Sequence, residues 1–178
     1  MSVEPVVPVL ILSGTVGVGK STILDEVHDL LVRARIPHVC LDTDALAMSW
    51  PARGDFNQIT MLDNVATVWA NARAAGATRV VIASVVERRG DREAFRRAIP
   101  GAEIVVCQLV APMNVRRSRL RQRERGAGLE WHLKRTEELQ VILDTAAIHD
   151  FVVSNDQRTV QEVAGEVLMR ADWPGLGS

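Results

Sequence analysis

Residues 14–21 are Gly14-Thr15-Val16-Gly17-Val18-Gly19-Lys20-Ser21, which fits the pattern G-x-x-x-x-G-K-[ST]. An apolar run over residues 6–12 precedes this stretch and predicts a buried strand. Residues 21–32 follow it with apolar side chains at helical spacing. A glycine turn between a strand and a helix points backbone N–H groups inward, and the helix N-terminus adds positive potential. The stretch therefore predicts a loop that binds phosphate.

The same pattern predicts what the residues of this loop contact. Those predicted to bind the phosphates of a nucleotide are Gly14, Thr15, Val16, Gly17, Val18, Gly19, Lys20, Ser21 and Thr22. Lys20 is predicted to reach the β- and γ-phosphates, and the Ser21 hydroxyl is predicted to be a ligand of Mg²⁺. Only two of the 21 Lys and Arg residues are lysines, which favours a specific role for Lys20. The loop alone indicates a bound nucleotide and leaves its use open.

The composition predicts a single domain, residues 1–178, with a core of substantial size. An apolar content of 47% with a net charge of −1 gives no support for bulk attraction to nucleic acid or to a membrane. No apolar run reaches the length of a membrane span. The first apolar run lacks a preceding basic segment, so no signal peptide is predicted and a cytoplasmic location is expected. The composition gives no indication of the oligomeric state.

Strand-like and helix-like segments alternate along the chain. The predicted strands are residues 6–12, 38–41, 80–86, 104–110 and 151–153. The predicted helices are residues 21–32, 58–75, 91–99, 113–124, 130–147 and 159–169, with Asp91 as an N-cap and Gly126-Ala127-Gly128 as a break. Apolar strands separated by helices indicate a parallel sheet covered on both faces. Ligands of such sheets bind at the carboxyl ends of the strands.

Two carboxylates, Asp42 and Asp44, follow the second predicted strand. Alternation along an extended segment predicts that both lie on the same side. One is suited to hold Mg²⁺, and the other is suited to accept the proton of an attacking hydroxyl. The alternative is that Asp44 caps the helical turn that follows it.

The third predicted strand ends in Ser84-Val85-Val86-Glu87, without the aspartate that many phosphate-loop ATPases use to hold Mg²⁺. This difference disfavours a mechanical ATPase and makes Asp42 the stronger metal candidate. Glu87 is a candidate for contact with an acceptor, with an ordinary solvated loop as the alternative.

Arginines occupy six of the ten positions from 116 to 125, namely Arg116, Arg117, Arg119, Arg121, Arg123 and Arg125. On a helix, Arg116, Arg119 and Arg123 share one stripe while Leu120 faces the core. With the glycines that follow, this stripe predicts a mobile flap in which Arg119 and Arg123 contact phosphate and neutralise charge on the transferred group. The alternatives are a solvated face or a nucleic-acid-binding run, although no aromatic residues are interleaved for stacking on bases.

Other polar and aromatic residues are candidates for contacts with the acceptor or the adenine. Trp50, Arg53 and Asn64 lie on the stretch between the second and third strands, where an acceptor is expected to be selected. An ordinary surface loop is the alternative. Asn155 follows the fifth strand and is a candidate for the adenine end of the nucleotide, but Asn is equally typical of a turn.

The histidines and cysteines give no indication of a metal site. No paired metal-ligand spacing links His28, His38, His132 and His149, which are interpreted as structural. Cys40 and Cys107 each lie in an apolar run and are interpreted as small buried hydrophobic residues rather than disulfide or metal partners.

Three stretches carry a family resemblance: Gly14–Thr22, Asp42-Thr43-Asp44 and Arg119-Leu120-Arg121-Gln122-Arg123. Together they resemble the small P-loop kinases of the nucleoside-monophosphate-kinase-like group, which includes adenylylsulfate kinase, shikimate kinase, gluconate kinase and chloramphenicol phosphotransferase. The resemblance implies an α/β, three-layer P-loop NTPase fold with a five-stranded parallel sheet in the order 2-3-1-4-5. It also implies a short lid at residues 124–132, ATP with Mg²⁺, and a hydroxyl of a small molecule as acceptor. Asp42 would then organise Mg²⁺, and Asp44 would orient or deprotonate the hydroxyl.

Adenylylsulfate kinases are nearest in layout, because Leu41–Asp44 and Asp63-Asn64-Val65 are similar to their pattern. Where that pattern continues with an arginine pair for the substrate's anion, this chain has Ala66-Thr67. The acceptor therefore stays open among an adenylyl sulfate-like compound, a nucleoside, a sugar and an antibiotic.

Two other functions compete with that of a small-molecule kinase. A nucleotide-dependent switch or ATPase acting on a protein partner would use a guanine-selecting Asn-Lys-x-Asp sequence or the missing strand-three aspartate, and the sequence has neither. A kinase of polynucleotide ends would use the arginine run, but the near-neutral charge and the lack of stacking aromatics disfavour nucleic acid as a partner. The expected function is an ATP-dependent kinase of a small molecule.

Overall fold

The computed structural model describes residues 5–173. The sequence of the first few residues and of Pro174-Gly175-Leu176-Gly177-Ser178 is typical of loose chain ends, and this prediction falls outside the described residues. Its five strands are β1 (Val7–Ser13), β2 (Val39–Asp42), β3 (Val80–Ala83), β4 (Ala102–Val110) and β5 (Phe151–Ser154). All four neighbouring pairs are parallel, and the order across the sheet is β2-β3-β1-β4-β5. The predicted five-stranded parallel sheet in the order 2-3-1-4-5 is confirmed.

Helices cover both faces of this sheet. They are α1 (Lys20–Arg33), α2 (Thr43–Leu46), α3 (Gln58–Ala74), α4 (Arg89–Ala98), α5 (Met113–Arg123), α6 (Gly126–Ala146) and α7 (Val160–Arg170), with a 3₁₀ turn at Asp55–Asn57. Because side chains alternate along a strand, β1 contributes Leu10 and Leu12 to one face and Val9 and Ile11 to the other. The first face packs against α1 and α7, and the second packs against α3 and α4. The chain therefore has the three-layer α/β architecture of a P-loop NTPase.

The central position of β1 explains its unbroken apolar run. It pairs with β3 on one side and with β4 on the other, and six of its seven residues are buried. A strand buried on both faces gains from apolar side chains at every position, rather than at alternate ones. This strand holds the start of the glycine loop rigidly at the carboxyl edge of the sheet.

The predicted N-cap at Asp91 is wrong. Helix α4 begins two residues earlier, at Arg89, with Arg88 in the capping position. The Asp91 carboxylate instead accepts hydrogen bonds from the backbone N–H groups of Glu87, at 2.8 Å, and Arg88, at 3.1 Å. A carboxylate in the first turn of a helix can satisfy the backbone just before that turn, so the same residue type serves a different position from the one predicted.

The predicted break between two helices at Gly126-Ala127-Gly128 is also wrong, because these residues belong to the second helix. Helix α6 begins at Gly126, so only Glu124 and Arg125 separate it from α5. Gly126 has a φ of 63°, which favours glycine and lets the chain reverse at this one residue. Most of the predicted lid, residues 124–132, therefore lies in the first turns of α6, and its closing movement stays a prediction. Within residues 5–173, no helix is both long enough and apolar enough to cross a membrane.

Candidate active site

The glycine loop joins β1 to α1 at the carboxyl edge of the sheet. Its backbone passes so close to neighbouring elements that side chains are excluded at two points. A Cβ on Gly14 would lie 2.7 Å from the Leu109 carbonyl oxygen, and one on Gly19 would lie 2.6 Å from the Asn155 side-chain nitrogen. Both glycines also have positive φ values, of 147° and 101°. The loop thus has the backbone shape of a phosphate cradle at the N-terminus of α1.

Lys20, the first residue of α1, bends back over the loop. Its Nζ donates to the carbonyl oxygens of Gly14, at 2.9 Å, and Thr15, at 3.2 Å. Burial lowers the pKa of Lys20, while the carboxylates of Asp44 and Asp42 act in the opposite direction. The ammonium group therefore lies near enough to both candidate carboxylates for their charges to act on it.

Ser21 and Asp42 meet across the sheet edge. The Ser21 hydroxyl donates to Asp42 Oδ2 at 2.6 Å, because the first turn of α1 reaches the carboxyl end of β2. A hydroxyl and a carboxylate at this separation are the oxygen ligands that Mg²⁺ prefers. These two side chains therefore fit a shared Mg²⁺ site beside the loop.

Asp42 and Asp44 do not lie on one extended segment, which corrects the predicted alternation. Strand β2 ends at Asp42 and α2 begins at Thr43. The capping residue is Asp42, not Asp44, since Asp42 Oδ1 accepts from the Asp44 backbone N–H at 3.0 Å. Both carboxylate oxygens of Asp42 therefore accept a hydrogen bond. The carboxylate of Asp44 accepts no hydrogen bond from any residue between 5 and 173, and it lines the cavity beside the loop.

The arginine stripe on α5 has two different environments. Arg116 is buried, with 3% of its surface exposed, and its guanidinium donates to Thr15 Oγ1 at 2.6 Å and to Gln140 Oε1 at 2.7 Å. This side chain joins the glycine loop to α6. Thr136 of α6 completes the connection, since its hydroxyl donates to the Val16 carbonyl at 2.8 Å. Arg116 therefore supports the shape of the loop from behind.

Arg119 and Arg123 approach the loop and its cavity from the same helix. Arg119 donates to the carbonyl oxygens of Val18, at 3.1 Å, and Asn155, at 3.0 Å. The buried Asn155 amide also donates to the Val18 carbonyl, at 2.7 Å. Arg123 is more exposed, pairs with Glu124 at 2.6 Å and lines the cavity. The structure thus brings Arg119 and Asn155 together at the Val18 carbonyl, whereas Arg123, at the end of α5, lines the cavity.

A cavity of about 790 Å³ opens from the glycine loop toward α3 and α6. Its polar lining near the loop includes Lys20, Ser21, Asp44 and Arg123. Its far part is lined by Met48, Phe56, Met61, Glu87, Arg88, Trp131, His132 and Arg135. A space of this size accommodates a small organic molecule next to a phosphate cradle.

Residues 7–123 match the family model described as adenylylsulphate kinase, which covers more than half of the chain. The chain belongs to the adenylylsulphate kinase family. Membership confirms the predicted small P-loop kinase and implies a nucleotide substrate, without determining the acceptor. Comparison with curated proteins gives no match.

Solved structures of several proteins share the fold of this adenylylsulphate kinase family member. The tunicamycin resistance protein of Deinococcus radiodurans has a TM-score of 0.65 at 15% identity, over 93% of this chain and 96% of that one. A gluconokinase from Sinorhizobium meliloti has a TM-score of 0.57 at 20% identity, over 94% and 91% of the two chains. The shikimate kinase of Acinetobacter baumannii, solved with shikimate, has a TM-score of 0.57 at 16% identity, over 94% and 93%. At such identities the likeness shows the fold alone.

Only some of the residues predicted to contact an acceptor line the cavity of this family member. Asp44 and Glu87 line the cavity, whereas Trp50, Arg53 and Asn64 do not. Trp50 is 90% exposed, and Arg53 forms an exposed ion pair with Asp63 at 2.8 Å. Asn64 donates to the Leu46 carbonyl at 2.8 Å, which holds α3 against α2. Of these three residues, only Asn64 therefore supports the elements around the site, and none of the three lines the cavity.

Several residues of the cavity were not indicated by the sequence. Arg135 of α6 forms an ion pair with Glu87, and its guanidinium lies 5.3 Å from the centre of the Phe56 ring. Trp131 and His132 come from the first two turns of α6. The available signal was the pair of aromatic residues Phe56 and Trp131, but no local pattern connects Phe56 to α6, which begins only at Gly126.

The cysteines of the family member lie in apolar surroundings, as predicted, whereas two of its histidines lie closer together than the sequence indicated. Both thiols are free; Cys107 is buried, and Cys40 is half-buried. Burial raises the pKa of each thiol to about 12. His28 and His38 were interpreted as structural residues without paired metal-ligand spacing, yet their ring nitrogens Nδ1 and Nε2 lie 2.8 Å apart.

Proposed function

We propose that this protein transfers the γ-phosphoryl group of ATP to a hydroxyl group of a small molecule. The observation that carries the proposal is the position of Asp44. Its carboxylate lines the same cavity as the phosphate cradle and accepts no hydrogen bond from the described residues, 5–173. A carboxylate that is free to accept a proton beside a phosphate donor suits an alcohol acceptor.

The donor half of the proposed reaction uses the glycine loop. The residues proposed to hold ATP are Gly14, Thr15, Val16, Gly17, Val18, Gly19, Lys20, Ser21, Thr22, Arg119 and Asn155. Ser21 and Asp42, 2.6 Å apart, would hold Mg²⁺, which when bound would neutralise charge on the phosphate oxygens. Arg119 and Asn155 support the proposal because both fix the Val18 carbonyl and so hold the backbone of the cradle in place.

The transfer step is proposed to use Asp44, Lys20 and Arg123. Asp44 accepts the proton of the acceptor hydroxyl, whose oxygen forms a bond to the γ-phosphorus. The bond between that phosphorus and the β–γ bridging oxygen breaks, and ADP leaves. Lys20 and Arg123 neutralise the negative charge on the transferred group during this exchange. Both cationic side chains line the cavity, Lys20 from the start of α1 and Arg123 from the end of α5.

The far part of the cavity is proposed to select the acceptor. Met48, Phe56 and Trp131 offer apolar surface, whereas the Glu87–Arg135 ion pair offers hydrogen-bonding groups. This combination suits an organic molecule with both an apolar part and polar groups. The names of the structural neighbours include a gluconokinase, a shikimate kinase and an antibiotic resistance protein. Sugars, hydroxy acids, nucleosides, adenylyl sulfate-like compounds and antibiotics are therefore the classes to test.

Residues 124–132 are proposed to act as the lid of this single-domain enzyme. Glu124 contacts both Arg123 and His132, so the turn between α5 and α6 is tied to a residue of the cavity wall. Trp131 of the same stretch is half-exposed over the cavity. Inward movement of this turn would exclude water from the transferred phosphoryl group.

A screen of ATP consumption over these compound classes tests the function. We expect ADP release that depends on one class, together with a product whose mass is greater by one phosphate group. Release of ADP and inorganic phosphate without an acceptor would instead indicate a nucleotide switch or ATPase. Arg121→Ala is a suitable active control for the variants below, because Arg121 is exposed on α5 and does not line the cavity.

Replacement of Arg123 tests the proposed clamp. We expect Arg123→Ala to lower kcat/KM for ATP by about 10- to 100-fold, near the lower range for loss of one charge-stabilising donor because this side chain is exposed. The melting temperature should be close to that of Arg121→Ala, since 63% of the Arg123 side chain is exposed and its partner Glu124 also pairs with His132. Steady-state kinetics and thermal melts of the two variants give the comparison. A fall in melting temperature with unchanged kinetics would make Arg123 a structural residue.

A further inference from the structure

We propose that His28, His38 and Cys40 form a second metal site, separate from the phosphate cavity, that binds a transition-metal ion such as Zn²⁺. Each residue offers one ligand atom, and the three atoms all lie within 4.8 Å of one another. None of the three lines the cavity described above. Nothing in the proposed phosphate transfer uses them.

Two adjacent elements bring the three side chains together. His28 lies in the middle of α1, whereas His38 immediately precedes β2 and Cys40, two residues further on, is the second residue of that strand. Side chains two apart on an extended segment lie on the same side. Here that side faces α1, since Cys40 packs against the core cluster to which α1 contributes Val27 and Leu31. The convergence therefore follows from the packing of α1 on the edge strand.

The hydrogen bonds of His38 fix the direction in which a lone pair points. His38 Nδ1 lies 2.7 Å from the Ile36 carbonyl oxygen, which can only accept, so Nδ1 carries the proton. In the neutral ring, Nε2 then presents a lone pair toward His28 Nδ1, 2.8 Å away. Two nitrogen atoms this close need a proton or a cation between them. A backbone carbonyl that orients the ring through its other nitrogen is also the usual support of a metal-binding histidine.

The donor set determines the kind of metal. Two imidazole nitrogens and a thiolate suit Zn²⁺ and its neighbours in the transition series, whereas Mg²⁺ and Ca²⁺ prefer oxygen. Zn–N distances of about 2.0–2.1 Å and Zn–S distances of about 2.3 Å place ligand atoms roughly 3–4 Å apart, so small side-chain adjustments suffice. The Cys40 thiol releases its proton to solvent when the bond to the metal forms. The exposed His28 leaves a fourth position for water.

A metal here would connect the two elements that also carry the Mg²⁺ ligands. Helix α1 begins with Lys20 and Ser21, and β2 ends with Asp42. The proposed ion links the same helix and strand near the amino-terminal end of β2, whereas the Mg²⁺ ligand Asp42 lies at its carboxyl end. It would therefore resist separation of α1 from β2 and raise the melting temperature of the folded protein.

Titration of the full chain with Co²⁺ tests the proposal, after chelation and removal of any bound metal. In the absence of nucleotide, we expect a sulfur-to-cobalt charge-transfer band in the near ultraviolet with a stoichiometry of one. Zn²⁺ should then displace Co²⁺ and remove the band. An oxygen-ligand site at Ser21 and Asp42 gives no such band, because it has no sulfur.

Single-residue variants identify the ligands. Cys40→Ser should abolish the band. His28→Gln should weaken Co²⁺ affinity by more than about 100-fold, because loss of a residue that only supports a ligand already lowers metal affinity by about 10- to 100-fold. His28 is exposed, so His28→Gln should keep the fold, which circular dichroism can verify. Cys107→Ala is the matched control, because it removes the other free thiol and should keep the band. A wild-type protein without the band, or a band that survives Cys40→Ser, would overturn the proposal.

Discussion

Phosphate transfer by the Lys20→Ala variant is expected to be about 10³-fold slower than wild type or worse, with the protein still folded. The reason is the position of the ammonium group. It is held within hydrogen-bond distance of two loop carbonyls, 2.9 and 3.2 Å away, at the mouth of the cradle. Alanine removes the positive charge that would stabilise the transferred phosphoryl group, but it leaves the glycine backbone unchanged. The loss should therefore appear in kcat more than in folding.

The other lysine provides a matched control for this experiment. Lys134 has 80% of its side chain exposed and lies 3.8 Å from Glu138 on the surface of α6. Lys134→Ala should retain wild-type turnover, because exposed ion pairs contribute little. Initial rates of ADP formation with the acceptor identified by the screen, measured for both variants, give the comparison. Equal turnover of Lys20→Ala and wild type would show that the glycine loop is not part of the catalytic site.

The fold was largely predictable from the sequence because its signals are local. The run before the loop is apolar at almost every position, as a strand buried on both faces must be. The glycines were informative because a Cβ added at Gly14, Gly17 or Gly19 would lie within 3 Å of a neighbouring atom, and all three residues have positive φ values, so the pattern of residues reflects a steric requirement. The errors at Asp91 and Gly126 concern where helices begin, which depends on one or two hydrogen bonds or a single φ value.

The candidate site was less predictable because its contacts are long-range. Helical spacing assigns Arg116, Arg119 and Arg123 to one stripe, but it does not show that Thr136 and Gln140 of α6 will enclose Arg116. That enclosure makes Arg116 a support of the loop while leaving Arg123 in the cavity. The packing of α1 on β2 likewise brings His28 beside His38 through tertiary structure, with no spacing rule to indicate it. When the role of a side chain depends on which face of its helix is covered by other elements, it can be assigned only from the three-dimensional structure.

Replacement of Asp44 separates binding of the nucleotide from transfer of phosphate. We expect Asp44→Asn to lower kcat by about 10²- to 10⁴-fold, the usual contribution of a general base, with the affinity for ATP changed by less than about twofold. Asparagine keeps the size of the side chain and loses the ability to accept the hydroxyl proton. No described residue, from 5 to 173, hydrogen-bonds to the Asp44 carboxylate, so the substitution should disturb no structure. Calorimetric titration with ATP and Mg²⁺, together with single-turnover kinetics, measures the two quantities.

Asp42→Asn is the matched comparison, because the two carboxylates are two residues apart and differ in what they contact. Asp42 accepts from Ser21 at 2.6 Å and from the Asp44 backbone at 3.0 Å, so its replacement should increase the Mg²⁺ concentration needed for activity and weaken binding of the ATP–Mg²⁺ complex. Asp44→Asn should leave the Mg²⁺ requirement unchanged. If Asp44→Asn instead abolishes ATP binding while Asp42→Asn slows only the transfer, the two roles are reversed. If neither variant slows transfer, proton removal from the hydroxyl does not depend on this pair, and the alcohol acceptor loses its main support.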